Sequence, residues 1–374
     1  MTRERKTRIW LAVILAVLAV GAGCFLLGRN AADADRQAER ELNILLNRSE
    51  LESLGGIGET IYVTGHKSPD SDTVCSSIAY AALLRSLGYD AQPVVLGPVN
   101  HETEFILASA GLAPPALLED ASGCTMILVD HSEYSQSAEG LQDARIISII
   151  DHHGDGSVTT GNQLVYDARP FGSTATIIWM RYRNYGVVPD RQTALAMLGA
   201  VLSDTQNLQS GNTTFADREA VKALAAVADI RDISDFYREM FKASLSYAGM
   251  SDEEIFFSDY KEYESGGKKY AIGCINAYDE AAAEELAARM SVELPLVPPS
   301  AGVDMAFAQI SIFHDDISIT YLVPSDPAAA EVLRTAFPDT AVFDGTSYII
   351  TPGISRRQVL VPAITDVLAA HPHE

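Results

Sequence analysis

The chain has 374 residues, enough for two or three domains; its 47% apolar content excludes a disordered polymer, and four cysteines exclude a small disulfide-built scaffold. Acidic residues outnumber basic ones 50 to 27, a net charge of −23. Residues 1–50 hold 8 basic and 6 acidic side chains, so the rest of the chain carries 19 against 44 and lacks the basic footprint of a nucleic-acid binder.

Ile9 to Gly28 is a run of 20 residues without a charge, the length that spans about 30 Å of hydrocarbon. It reads as a single-pass transmembrane anchor behind a basic flank over residues 1–8 (Arg3, Arg5, Lys6, Arg8). That flank favours a cytoplasmic N-terminus and an extracytoplasmic body, with the cytoplasmic face as the alternative. A cleaved signal peptide is a second reading of the run, although no clear small-x-small cleavage site follows. A lipoprotein signal ending at Cys24 is a third, although Gly21 stands where a larger aliphatic residue is usual. Residues 29–56 have mixed charge and helical composition and read as a stalk.

From 57 to 246, short apolar strands alternate with helical stretches. Strands are expected at 59–65, 93–96, 125–130 and 146–151, and helices at 72–87, 102–110, 173–185, 191–204, 216–228 and 232–246. Continuous apolar strands between helices indicate an α/β domain with a parallel sheet covered on both faces. Residues 247–252 read as a linker. Beyond it, 253–374 changes style. Strands at 254–263 and 268–277 flank a Gly266-Gly267 hairpin signal, and further strands near 303–313, 317–323 and 340–350 mix with helices at 279–290, 326–336 and 355–370. This is the pattern of a smaller mixed α+β domain.

Ligands bind at the carboxyl ends of parallel strands, and the reactive side chains collect there. His66, Asp70 and Asp72 follow the first strand, Asp130-His131 ends the third, and Asp151-His152-His153 ends the fourth. An aspartate before a helix is commonly only a cap, and one at a strand tip only a turn former. Repetition of Asp-His at two tips weakens the bland reading. Asp204 ends a helix, where a carboxylate opposes the macrodipole and a cation would justify it. Four carboxylates (Asp70, Asp72, Asp130, Asp204) and two imidazoles (His66, His152) can hold two divalent ions roughly 3.5–4 Å apart. Oxygen and nitrogen ligands without thiolate suit Mn²⁺, Co²⁺ or Mg²⁺. Arg356-Arg357 adds a planar, phosphate-matching pair in a region poor in basic residues. Together they indicate hydrolysis of a phosphoanhydride or phosphoester.

The segments GHKSPDSDTVCSSIAYA, LVDHSEYSQS, IIDHHG, GSTATIIW and MLGAVLSDT resemble, in order, the motifs of the DHH phosphoesterase superfamily. Within it, residues 57–374 resemble the manganese-dependent family II inorganic pyrophosphatases, with ISRRQVLVP similar to a segment of their DHHA2 domain. The resemblance implies a DHH catalytic domain over 57–246 and a DHHA2 substrate-binding domain over 253–374. It implies one manganese held by His66, Asp70 and Asp130 and a second by Asp72, Asp130, His152 and Asp204, with additional Mg²⁺ arriving with substrate. His153 would contact the electrophilic or leaving phosphate. Lys261, Arg356 and Arg357 would bind substrate from the second domain once the domains close, and a hydroxide between the ions would attack pyrophosphate. A homodimer is compatible with the family. The GGGH motif of the branch acting on oligonucleotides and cyclic dinucleotides is absent, so no nucleic-acid partner is expected. Ser132 replaces the usual Asn after Asp-His, and Arg357 the usual Lys. A short-chain exopolyphosphatase, and a non-catalytic membrane phosphate-binding protein, are the alternatives to a pyrophosphatase.

Overall fold

The computed structural model describes residues 36–49, 51–52, 58–154, 156–314 and 317–370. The anchor expected at 9–28 and its basic flank lie outside them; among the described residues, no helix is long and apolar enough to cross a membrane. The chain divides into two compact units, Met1–Met240 and Phe241–Glu374.

In the first unit a helix over residues 36–49 (α1) is tied down by Arg48, whose Nη2 donates to Tyr185 O at 3.1 Å, and is followed by Leu51, which is buried in the core. The remaining elements are β1 (Ile61–Thr64), α2 (Ser71–Ser86), β2 (Ala91–Val95), α3 (His101–Ala110), β3 (Ala116–Leu117), β4 (Thr125–Val129), β5 (Arg145–Asp151), β6 (Val165–Ala168), α4 (Thr174–Asn184), α5 (Arg191–Asp204) and α6 (Phe215–Ala228). A further helix, α7 (Ile233–Ser244), contains the boundary between the units. The six strands form one parallel sheet in the order β3-β2-β1-β4-β5-β6. Ile61 of β1 pairs with Ala91 on one side and Thr125 on the other. The chain thus winds outward from β1 to β3 and returns to begin again at β4. Neighbouring connections leave the sheet in opposite directions at β1 and β4, which opens a crevice at their carboxyl ends.

All five residues of β4 are buried. One sheet face packs Val63, Ile127 and Ile150 against helices including α2, α4 and α5. The other packs Met126, Leu128, Ile146 and Ile149 beneath Ala121, Ala138 and Leu141. Burial on both faces is why these strands read as unbroken apolar runs. The edge strand β6 alternates half-buried and exposed residues, Val-Tyr-Asp-Ala, and so gives no such run. Helix α5 is buried from Thr193 through Leu202, apolar around its whole circumference because it lies inside the helical layer.

The second unit begins with a correction. Glu254–Tyr263 does not form a continuous strand: Asp252–Phe257 is a helix (α8), and the strand β7 starts only at Tyr260. The cause is a capping box, in which Ser251 Oγ accepts from Glu254 N at 3.2 Å and Glu254 Oε2 accepts from Ser251 N at 2.8 Å. After β7 (Tyr260–Ser265) come β8 (Lys268–Ala277), α9 (Glu280–Glu293), a short α10 (Val297–Ala301), β9 (Met305–His314), β10 (Ile317–Pro324), α11 (Pro327–Ala336), β11 (Ala341–Phe343), β12 (Tyr348–Ile350), a π turn at Arg356–Leu360 and α12 (Val361–Ala370). The mixed sheet runs β11-β12-β10-β9-β8-β7, with β8 and β9 its one parallel pair. Ser265 pairs with Lys268 across a two-residue turn, where Gly266 and Gly267 take φ of 58° and 76°. Glycine adopts these angles without a Cβ penalty.

Helices α3 and α5 meet at Gly199, where a Cβ would stand 2.8 Å from three atoms of the fully buried Ile106 side chain. Gly199→Ala should therefore destabilise the chain by about 1–3 kcal/mol through overpacking, despite alanine's better helix propensity. Chemical denaturation monitored by circular dichroism measures the shift, and an unchanged or raised midpoint would refute the close approach.

Candidate metal centre

The first unit brings the aspartates and histidines of four separate segments into the β1/β4 crevice. His66 and Asp70 lie on the connection leaving β1, and Asp72 lies in the first turn of α2. Asp130 follows β4, Asp151 ends β5 with His152 and His153 directly after it, and Asp204 ends α5. Asp130 is 2% exposed and adopts φ 63°, a left-handed conformation that aspartate tolerates better than most residues.

Its two oxygens face different partners. Oδ2 lies 3.6 Å from His66 Nε2, and Oδ1 lies 3.4 Å from His152 Nε2 and 3.8 Å from His153 Nδ1. His66 Nε2 is also 3.5 Å from Asp70 Oδ2, and His152 Nε2 is 3.5 Å from Asp204 Oδ2. Two ligand sets result: His66, Asp70 and Asp130; and Asp72, Asp130, His152 and Asp204. Within each, one potential ligand atom per residue lies within 4.8 Å of the others. Asp130, His152 and His153 form a third such group.

Hydrogen bonds fix these side chains from behind. Asp70 caps α2, its Oδ1 accepting from Thr73 N at 2.9 Å while Oδ2 faces His66. Asp72 is fully buried and accepts from Thr174 N at 2.6 Å, Ala175 N at 3.0 Å, Ser173 Oγ at 2.9 Å and Ser76 Oγ at 3.0 Å. Thr73 Oγ1 and Thr174 Oγ1 donate to opposite oxygens of Asp130, at 2.8 and 3.0 Å. His152 Nδ1 lies 3.0 Å from Phe171 O, so it must carry the proton, and the Nε2 lone pair is left facing Asp130 and Asp204. His131 turns away: its Nδ1 bonds Val129 O and its Nε2 bonds Ser137 Oγ, both at 3.0 Å, and burial pushes its pKa down. It is a neutral structural histidine beside the centre.

Electrostatics asks for cations here. Burial first, then repulsion from Asp130, raises the Asp72 pKa to about 7. Burial and the charges of Asp72, Asp130 and Asp70 drive Asp204 strongly upward. Burial opposes protonation of His66, but its bonds to Asp130 and Asp70 outweigh that and raise it to about 10. Protons thus gather where carboxylates crowd, the condition a divalent ion relieves by displacing them. The donor set fits manganese, with carboxylate oxygens and imidazole nitrogens, no thiolate, and one histidine tautomer fixed by a backbone carbonyl.

His153 is different. It is half exposed, and its Nδ1 bonds Asp151 Oδ1 at 3.0 Å, which together with the nearby carboxylates raises its pKa to about 9. Asp151 is held in turn by Ser132 Oγ at 3.1 Å, so the serine standing where asparagine is usual still donates.

Lys261, Arg356 and Arg357 belong to the second unit. Lys261 is exposed on β7. Arg356 is clamped by Asp259, with Nη1 donating to its carbonyl and Nη2 to its Oδ1, both at 2.9 Å. Asp259, which holds Arg356, stands two positions before Lys261, and Arg357 is exposed on the π turn that carries Arg356.

Some supporting residues have only an ambiguous signal in the sequence, and others have none. Glu102 Oε2 accepts from both Ser71 Oγ (2.8 Å) and Ser203 Oγ (2.7 Å), tying the start of α2 to the end of α5 beside Asp204. In the sequence, Glu102 follows the second strand and reads either as a support beside the centre or as a dipole partner in the first turn of α3. The backbone of Phe171 and the hydroxyls of Thr73, Ser173 and Thr174 are silent in sequence, because hydroxyls and carbonyls carry no charge pattern.

The DHH family N-terminal domain matches residues 60–201, and the DHHA2 domain matches residues 238–367. The fold and site thus define a DHH–DHHA2 protein. The chain is 32% identical over 313 residues to the manganese-dependent inorganic pyrophosphatase of Bacillus subtilis, covering 83% of this chain and 99% of that one. It is 35% identical over 312 residues to a Clostridium acetobutylicum protein to which the same activity is attributed, covering 83% and 98%. A solved Methanococcus jannaschii structure assigned to the family II inorganic pyrophosphatases shares 33% identity, covers 82% of this chain and 99% of its own, and superposes with a TM-score of 0.50. The chain belongs to the manganese-dependent inorganic pyrophosphatase family.

The raised histidines set a pH dependence. In the folded chain stripped by a chelator, His66 keeps its proton to about pH 10 and His153 to about 9, against 6.5 for each in the unfolded chain. Between 6.5 and those values the folded state binds more protons, so this stability is complete below 6.5 and is lost as pH rises through 9–10. Thermal melts of the chelated protein should fall steadily from pH 7 to 10. A flat profile would contradict the proton-filled cluster.

Proposed function

We propose that this chain hydrolyses inorganic pyrophosphate to two phosphates, using manganese held by His66, Asp70 and Asp130 and by Asp72, Asp130, His152 and Asp204. The observation that carries the reading is Asp130, a buried carboxylate whose two oxygens face two different ligand sets. Bound manganese supplies Lewis acidity, which makes water nucleophilic near neutral pH and draws charge from phosphate oxygens.

The chain's own residues do the rest. Asp130 keeps the two sets at a fixed separation because both its oxygens are held by buried threonine hydroxyls. His153 holds a proton at neutral pH, with Nδ1–H committed to Asp151, which leaves Nε2 to protonate the departing phosphate. Lys261, Arg356 and Arg357 supply positive charge for phosphate oxygens, and the Asp259 clamp presents the Arg356 guanidinium in one orientation. The 20-residue uncharged run at 9–28 fixes the chain in a membrane with the catalytic body on the extracytoplasmic side.

Phosphate release by the full chain with Mn²⁺, measured against pyrophosphate and tripolyphosphate in parallel, should show strong preference for pyrophosphate, and Asp130→Ala should lower turnover by more than a thousandfold, about 4 kcal/mol of barrier. Preference for tripolyphosphate would identify an exopolyphosphatase. Turnover of neither would turn attention to a phosphate-binding role. The anchor is checked separately: membranes carrying the chain should retain it through alkaline carbonate extraction, and release into the supernatant would refute the span.

A further inference from the structure

Asp217 lies outside both ligand sets and is fully buried. Its position explains part of what it does. It is the third residue of α6, and its Oδ2 accepts from Thr214 N and Thr214 Oγ1, both at 2.7 Å, completing a capping box. A cap needs no more than that. Yet two more donors reach the same carboxylate from a distant part of the chain, Gly172 N to Oδ2 at 2.9 Å and Thr176 Oγ1 to Oδ1 at 2.7 Å.

Those two donors bracket the segment that holds the centre. Between them, Ser173 Oγ, Thr174 N and Ala175 N all donate to Asp72, and Thr174 Oγ1 donates to Asp130. Immediately before them, Phe171 O accepts a hydrogen bond from His152 Nδ1 at 3.0 Å. Gly172 has no room for a side chain: a Cβ there would meet Asp217 Oδ2 at 2.9 Å and Thr205 Cγ2 at 2.5 Å. We infer that Asp217 is a positioning residue for the metal centre, gripping residues 171–176 at both ends so that they aim Asp72, Asp130 and His152. Groups that orient ligands from behind typically change metal affinity about 10–100-fold when removed.

This rests on the manganese reading, and the test separates the two. Mn²⁺ affinity of the full chain is measured from the electron paramagnetic resonance signal of free Mn²⁺, alongside the melting temperature. Thr176→Val releases one end of the grip and leaves the cap intact; it should weaken Mn²⁺ binding about tenfold. Thr214→Ala removes the cap hydroxyl and leaves the grip intact; it should lower the melting temperature with Mn²⁺ affinity within about twofold of the unaltered chain. Asp217→Ala should show both losses. Asp217→Asn keeps an acceptor for Gly172 N and can donate to Thr176 Oγ1, so it should recover most of the affinity. Unchanged Mn²⁺ affinity in Thr176→Val, or equal losses in Thr176→Val and Thr214→Ala, would reduce Asp217 to a helix cap and overturn the assignment. Failure of the unaltered chain to bind Mn²⁺ would overturn the metal reading itself, and the assignment with it.

Discussion

Crowding of negative charge is the constraint on which the first unit is built. Asp70, Asp72, Asp130 and Asp204 are drawn into one crevice, two of them almost wholly out of water. Isolated ionised carboxylates in such a place would expel one another or stay protonated. The fold answers with the neutral dipoles available to it. Asp70 and Asp72 stand at the N-terminus of α2, and Asp72 also accepts from the first two amides of α4, so two helix termini direct partial positive charge at the same point. Hydroxyls of Thr73, Ser76, Ser173 and Thr174 add further donors. These contributions orient the carboxylates but leave Asp72 and Asp204 with raised pKa values, so a divalent ion completes the balance by displacing their protons.

The sheet topology makes that crowding possible. Parallel strands all end on one side, and the return of the chain from β3 to β4 sets the ends of β1 and β4 side by side. Each tip contributes a short polar segment, while the strands behind are apolar and buried on both faces. Buried strands and the buried body of α5, Thr193 to Leu202, therefore hold the ligands at their ends, and His153, half exposed beside them, is placed for proton transfer.

Much of this was legible beforehand, for identifiable reasons. TMILVD and IISIID announce buried parallel strands and carry their acidic tips with them, so Asp130 and Asp151–His153 could be placed without coordinates. Gly266-Gly267 marked its hairpin because few other residues take those angles. What stayed hidden had no periodic or charged signature. β6 is a short edge strand of mixed polarity, and α8 is set by a capping box inside a stretch whose Ile-Phe-Phe run mimics a strand. Within the centre, the ligands were visible, while their supports were ambiguous or silent. Glu102 and Asp217 each occupy an ordinary helix-start position, and only the long-range contacts of Ser203 and Thr176 reveal a second task.

The ligands come from segments spread between His66 and Asp204, and the cysteines of the described residues are unpaired. Each ion bound there joins stretches of chain that are remote in sequence, as a crosslink does, and closes loops that the unfolded chain would keep open. An ion held only by the assembled crevice adds its binding free energy to that of folding. The lifetime of this chain against proteases in its compartment then becomes a function of how much metal that compartment supplies, and starvation for the ion would remove the polypeptide along with its activity.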